Sequence, residues 1–365
     1  MRKNKIGIVT FNKAHNYGAL LQAYALKKAI ERFNADVVFV DFTNEYLDKN
    51  YRLFPSLQHN SFLGYCKTVL TTALDFPRKK RRHDTFSYFI NKYLPMENID
   101  CNKLNLDCIF LGSDQIWNPR ITGKFEGVFF GKHQNLNAKR IVSYAASMGN
   151  GMVDTNLNAE LRNYLDGIDV IGVRESSLKG ALSMKLSIES VQNLDPTLLL
   201  ERDEWLDITD DTLVGQDKYI LVYEVEHHLN TQNIINTIVE KTGFKVKVIS
   251  AKTNYKVPRS VISTASPKDF ISLFRNASFV VTTSFHGTVF SIINNVPFYT
   301  LKFGNGVDNR SLSLLSMLNL TARHINDVNE IRSDFDMLNF DEANQLLNEQ
   351  RNKSLAYLSE NISNH

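Results

Sequence analysis

Cysteine is scarce in this chain. There are three in 365 residues, Cys66, Cys101 and Cys108. The number is odd and no CxxC pair occurs, which excludes a disulfide framework and a zinc ribbon. A reducing cytoplasm is the expected compartment. No run of 18 apolar residues exists, so no transmembrane helix is expected. The start, MRKNKIGIVTF, has a short apolar run with neither a longer apolar stretch nor a small-residue cleavage site. No secretory leader is expected from it. No internal repeat and no low-complexity tract is found. There is no HExxH and no Ser-centred nucleophile elbow. Gly304-Asn305-Gly306 is Gly-rich but is neither GxGxxG nor a Walker loop, and reads as a surface loop. His227 and His228 lack a partner carboxylate at metal spacing and read as surface residues. No metal is required.

What is present fits an ordinary globular chain. Hydrophobic residues make up 43% and charged residues 22%, which is ordinary globular usage. At 365 residues, two domains are the natural expectation. The charge sum is 42 − 39 = +3, too balanced for a surface that grips nucleic acid. The balance is also uneven. Arg78, Lys79, Lys80, Arg81 and Arg82 are consecutive. Without these five the chain has 37 basic against 39 acidic residues, a net of −2. They follow residues 61–76, where Phe62, Cys66, Val69, Leu70 and Ala73 share one helical face. A basic cluster beside such a helix can lie on an anionic membrane surface. The alternative is a core helix with a solvated continuation. No aromatic-interleaved basic face accompanies the run, which argues against nucleic acid.

The apolar pattern alternates between strand and helix. KIGIVT at 5–10 reads as a buried strand, residues 19–33 as a helix and DVVFVDF at 36–42 as a second strand. This βαβ start implies a parallel sheet. Further strands are expected at 107–112, 140–145 and 169–173. A helix is expected near Glu175 and an extended stretch at 190–194. Asp195-Pro196-Thr197 marks a turn, and the acidic, loop-like segment 201–217 reads as a junction. A second series follows: strands at 218–223, 244–249, 277–282 and 297–301, with helices near 230–242, 267–275 and from about His286. The tail 340–363 reads as a helix packing back across the junction. The fold class is therefore α/β, with two Rossmann-like doubly wound domains at 1–200 and 201–330 and a helical tail at 331–365. In such folds ligands sit beyond the carboxyl ends of strands.

That rule picks out a few residues. Thr282 to Thr288 runs from an apolar strand through Ser284, Phe285 and His286 into a helix start. A histidine there can act as general acid or base beside an anion held by backbone N–H groups. The plainer reading is a capped turn with a structural histidine. Arg174-Glu175 follows a strand, and Arg binds carboxylate or phosphate in bidentate fashion; a surface ion pair is the alternative. Gly112 to Pro119 places Asp114 and Gln115 after another strand, as a ligand site or as an Asx-type turn. His15-Asn16-Tyr17-Gly18 follows the first strand, where Gly18 either admits a ligand or caps the helix.

Taken together, these blocks resemble the polysaccharide pyruvyl transferase family over about residues 5–325. The resemblance rests on Thr10-Phe11, His15 to Ala19 with Leu21 to Leu26, Gly112 to Pro119, Ser143 to Ser147, Val173-Arg174-Glu175, Asp195-Pro196-Thr197, Ser266-Pro267 and Ser284 to Thr288, in this order. It implies a GT-B-like pair of domains with the site between them. It implies transfer of the enolpyruvyl carbons of phosphoenolpyruvate (PEP) to a sugar, with PEP as donor substrate and no cofactor. His286 takes the place of the family's essential histidine and Arg174 that of a PEP-binding arginine. Some members carry Arg two residues before the histidine; here Ser284 stands there. The remaining anion contacts are then expected from Lys302, Arg310 and the backbone around Ser284, Gly287 and Thr288. Asp114 is the candidate base. His15, Asn16, Tyr17, Gln115 and Trp117 are the candidate acceptor contacts. The acceptor is expected to be a lipid-linked or polymer-bound saccharide, met at the inner face of the membrane through the cations at 78–82. Two other readings stay open: a GT-B nucleotide-sugar glycosyltransferase, and a non-catalytic glycan-binding protein at a membrane.

Overall fold

A computed structural model describes residues 3–49, 53, 69–149, 155–305 and 308–363. The chain forms two five-stranded sheets, parallel throughout. The first contains β1 (Lys5–Val9), β2 (Asp36–Asp41), β3 (Met96–Asn98), β4 (Leu104–Leu111) and β5 (Leu136–Ser143), in the order β3-β2-β1-β4-β5. Two short strands, β6 (Gly172–Val173) and β7 (Val191–Gln192), pair beside it. The second sheet contains β8 (Tyr219–Glu224), β9 (Lys245–Ser250), β10 (Phe279–Thr282), β11 (Phe298–Leu301) and β12 (His324–Ile325), in the order β12-β11-β10-β8-β9. Central strands such as β1 and β10 are apolar along their length because helices cover both faces.

The helices that matter for the site begin at strand ends. They are α1 (Tyr17–Glu31), α2 (Phe76–Tyr93), α3 (Ser176–Leu186), α4 (Pro267–Arg275), α5 (Phe285–Ile293), α6 (Asn309–Met317) and α7 (Asp341–Ser363). Asn16 caps α1 by accepting from Ala19 N, and Ser284 caps α5 by accepting from Gly287 N. Ser266 and Asp269 form a capping box on α4, with Pro267 in its first turn.

Several expectations need correction. β3, β12 and α6 were not anticipated; the two strands are three and two residues long and too short for a periodic signal. The supposed loop at 201–217 contains two 3₁₀ segments, Arg202–Ile208 and Asp211–Leu213. His228 is buried rather than on the surface; its Nε2 lies 3.0 Å from the Lys302 carbonyl. Phe62 and Cys66 of the expected helix at 61–76, and Gly306, lie outside the described residues. Residues 69–74 are helical, and α2 carries the entire basic run.

One apolar cluster joins the two halves. It runs from Ile6 and Leu20 through Trp205 and Phe270 to Leu358. Tyr17 stacks on Phe270 at 4.6 Å between centroids. The tail helix α7 returns to the first unit: Tyr357 Oη donates to the Ser143 carbonyl and Arg351 Nε to the Leu198 carbonyl.

The basic run is built into this junction. Arg82 is buried; it donates to Tyr17 Oη, to the Ser263 carbonyl and to the Ala251 carbonyl. Its guanidinium also lies over the Tyr17 and Phe86 rings. Arg78 donates to the carbonyls of Val257 and Asn254. One helical turn separates these two arginines, so both face the second unit. Lys79 reaches Thr72, Lys80 pairs with Asp84, and Arg81 is exposed. The run therefore divides between an inner face that ties the halves together and an outer face in solvent.

Candidate active site

The carboxyl ends of the two sheets face each other across a cleft of about 280 Å³. This is at the small end of ligand pockets. The first unit contributes Phe11, Ala14, Asn16, Gly18, Ala19, Asp114 and Gln115, and the second Tyr223, Glu226, Thr283 to His286 and Arg310.

His286 occupies the first turn of α5 and is 7% exposed. Gly18 is packed against its ring: a β-carbon there would lie 2.0 Å from His286 Nδ1. On the other edge, His286 Nε2 is buried without a hydrogen-bond partner and lies 3.7 Å from Asp195 Oδ2. That carboxylate is firmly held. Arg174 Nη1 donates to Oδ2 at 2.8 Å, while the Thr197 amide and hydroxyl donate to Oδ1 at 3.0 and 2.6 Å. Burial alone would raise the Asp195 carboxyl, but His286, Arg174 and Thr197 outweigh it and hold the group well below the usual carboxylate range.

Arg174 sits among three carboxylates. Besides Asp195, its Nε lies 3.2 Å from Glu175 Oε1 and its Nη2 3.6 Å from Asp114 Oδ1. The residue is buried and is not among those lining the cleft. The surface Arg–Glu pair is thus corrected to a buried one, with Glu175 also accepting from Ser147 Oγ. Arg310 is the guanidinium that lines the cleft. It lies 5.6 Å from the centroid of the Phe285 ring, and Arg174 5.1 Å from the same centroid. Burial, then the nearby Arg174 charge, lowers the Arg310 pKa. An anion in the cleft would relieve that repulsion.

The other sequence candidates divide in two. Asp114, Gln115, Asn16 and Ser284 line the cleft. Asp114 has a backbone φ of 72°, a left-handed conformation that non-glycine residues seldom adopt. Gly287 and Thr288 are buried in α5, where Thr288 Oγ1 bonds Thr300. Lys302 instead pairs with Glu330 at 2.8 Å. Tyr17 is 1% exposed, with its hydroxyl donating to the Ala265 carbonyl. Trp117 is fully buried, stacked on Phe130 and donating to the Phe129 carbonyl. His15 packs against His83 and Phe86. Lys302, Tyr17, Trp117 and His15 are not among the lining residues. Asp195 read as a turn marker, and its place beside His286 was missed. Its spacing to His286 carries no local pattern, because the two meet only when the halves pack. Among the described residues no group of three or more His, Cys, Asp or Glu side chains is arranged to hold a metal ion.

The family described as polysaccharide pyruvyl transferase matches residues 16–303. Among solved structures, Arabidopsis thaliana UGT89C1 is similar over 99% of this chain and 100% of its own, at 11% identity and a TM-score of 0.50. A UDP-N-acetylglucosamine 2-epimerase aligns over 98% of this chain and 96% of its own, at 12% identity and a TM-score of 0.49. At such identity the likeness to UGT89C1 concerns the GT-B fold alone. No curated protein sequence matches the chain.

Proposed function

The chain belongs to the polysaccharide pyruvyl transferase family, and on that premise we propose that it transfers a pyruvyl group from PEP to a hexose such as galactose. The product is a pyruvate ketal formed during bacterial surface polysaccharide biosynthesis, on a lipid-linked or polymer-bound acceptor. One observation carries the reading: three helix N-termini converge on the cleft. Asn16, Gly18 and Ala19 open α1, Ser284 to His286 open α5, and Arg310 opens α6. Helix N-termini with unpaired N–H groups attract anions. Together with Arg310 they favour a small, highly charged donor with phosphate and carboxylate groups.

The chemistry then follows from the groups at hand. His286 gives a proton to C3 of PEP, which makes C2 cation-like. One sugar hydroxyl adds to C2 and loses its proton to Asp114 across the cleft. Phosphate departs with both electrons of its C–O bond and takes the proton held by Asp114; the second hydroxyl adds at C2 to close the ring and returns its proton to His286. The atoms balance as PEP plus diol giving ketal plus phosphate. Such acid–base help contributes about 10²–10⁴-fold each. Arg310 and the helix ends hold the donor and receive the departing phosphate. Arg174 acts from behind, through Asp195, Glu175 and Asp114. Among the described residues no helix is long and apolar enough to cross a membrane; a lipid-linked acceptor would be met at the inner membrane face.

The test is incubation with PEP and a panel of hexose glycosides, following phosphate release and product mass. A pyruvylated product that disappears in His286→Ala supports the reading. Absence of pyruvyl product with every hexose, from folded protein, overturns it. Donor-dependent stabilisation by a nucleotide sugar instead of PEP would favour a glycosyltransferase.

A further inference from the structure

We propose that Asp195 is the positioning residue for His286, and that Nδ1 rather than Nε2 is the imidazole atom that exchanges protons with the substrate. The inference rests on the reading above, in which His286 is catalytic, and deepens it.

Three observations carry it. First, the two ring nitrogens have different surroundings. Nε2 is buried without a hydrogen-bond partner, and Asp195 Oδ2 lies 3.7 Å from it. Nδ1 lies at the edge packed against Gly18, a lining residue of the cleft. Second, Asp195 is held independently of His286. All of its hydrogen bonds come from its own half of the chain: Arg174 on Oδ2 and Thr197 twice on Oδ1. Its side chain is fully buried, so solvent does not compete for it. Third, His286 comes from the other sheet. The Asp195–His286 pair therefore spans the two halves, and its length reports how closely they sit.

At 3.7 Å the pair is an ion-pair contact and not yet a hydrogen bond. Closing by roughly 0.5–1 Å brings it into the ordinary N–H···O range. Catalytic hydrogen bonds commonly tighten in this way when substrate is bound. A buried carboxylate accepting from Nε2–H selects one tautomer. It leaves the Nδ1 lone pair toward the cleft in neutral histidine, and steadies the imidazolium when Nδ1 gains a proton. The proton delivered to C3 is then the one on Nδ1. Nε2–H stays with Asp195 throughout, so the carboxylate itself never changes protonation.

Asp195→Asn is the informative change, because both carboxylate oxygens face donors. An amide NH₂ at one oxygen position points at Arg174; at the other it points at the Thr197 amide. The substitution therefore frustrates the acceptor role while keeping the volume. The experiment uses the full chain labelled with ¹⁵N-histidine. His286 is assigned among the nine histidines by difference with His286→Gln. In the wild type, neutral His286 should carry its proton on Nε2, with a pyridine-type Nδ1. In Asp195→Asn the Nδ1–H tautomer should gain. With PEP and the hexose panel, kcat should fall by roughly 100-fold, while KM for PEP changes by no more than about twofold, since Asp195 does not line the cleft. A wild-type proton on Nδ1 overturns the proposal. So does a variant with wild-type tautomer and kcat. Should Asp195→Asn fail to fold, the wild-type spectrum alone decides. Failure of the functional reading looks different: His286→Gln would then retain full turnover, or no pyruvyl product would form at all.

Discussion

Gly18 and His286 are in direct contact across the cleft, one from each half of the chain. A β-carbon on Gly18 would stand 2.0 Å from Nδ1 and 2.4 Å from Cε1 of the ring. The first helix can approach the histidine this closely only because residue 18 has no side chain. Gly18→Ala must therefore push the ring away or part the two halves. Turnover should fall at least tenfold, with an overpacking cost of about 1–3 kcal/mol. Initial rates and thermal unfolding of the variant check both numbers; unchanged kinetics would mean the ring position is unimportant.

Arg310 is a cation that lines the cleft, and under the proposed function it contacts the donor. Replacing it by Gln removes a charge-assisted contact worth about 1.5–3 kcal/mol. That corresponds to a rise in KM for PEP of roughly tenfold or more. Lys302→Gln should leave KM for PEP nearly unchanged, because Lys302 is held by Glu330. Steady-state kinetics with varied PEP separate the two.

Arg82 and Arg81 are adjacent in sequence and should behave oppositely. Arg82→Ala leaves Tyr17 and two carbonyls of the second unit without their donor. It should destabilise the protein by about 3 kcal/mol. Arg81→Ala, at an exposed position, should change stability by no more than about 0.5 kcal/mol. Urea unfolding of both variants checks this. Binding to anionic vesicles, by contrast, should weaken in Arg81→Ala if the outer face of the run contacts a membrane.

His15 should make stability depend on pH in a defined window. Burial first, then the charges of His83 and Arg82, lowers its pKa to about 4 in the folded protein. In the unfolded chain it returns to about 6.5. Between those values the unfolded state binds the extra proton, so stability contributed by neutral His15 is complete above about 6.5 and is lost as pH falls toward about 4. His15→Gln should flatten the pH dependence of the melting temperature in that range. A parallel loss in wild type and variant would assign the effect elsewhere.

Much of the fold was legible in the sequence because it rests on local pattern. The apolar runs at β1, β8 and β10, each followed by a helical repeat, and the run at β2 that closes the first unit, read directly as βαβ units. Helix α4 was expected at 267–275 and occupies Pro267–Arg275, opened by the capping box of Ser266 and Asp269. β3 and β12 were missed, being too short for any period. The basic run was misleading for a related reason. Composition shows five cations in a row, but only helical geometry shows that Arg78 and Arg82 face inward while Arg81 faces out.

The site followed the same division. Residues at strand ends and helix starts, such as His286, Asp114 and Asn16, could be named because the rule that selects them is one of chain order. Tyr17 and Trp117 satisfied that rule too, yet they are buried; which side of a turn meets solvent depends on what packs against it. Arg174 was named from its place after a strand, together with its sequence neighbour Glu175; its other two carboxylate partners, Asp114 and Asp195, come from separate loops. The α/β class, the family and the strand ends that border the cleft were readable from the chain alone, since these depend on periodicity and on short motifs read in order. That Asp195 stands behind His286, that Gly18 clears room for its ring and that Arg310 faces the cleft follows from packing alone. Those relationships join residues from 91 to 268 positions apart, and they exist only once burial of a shared apolar core has brought the two sheets together.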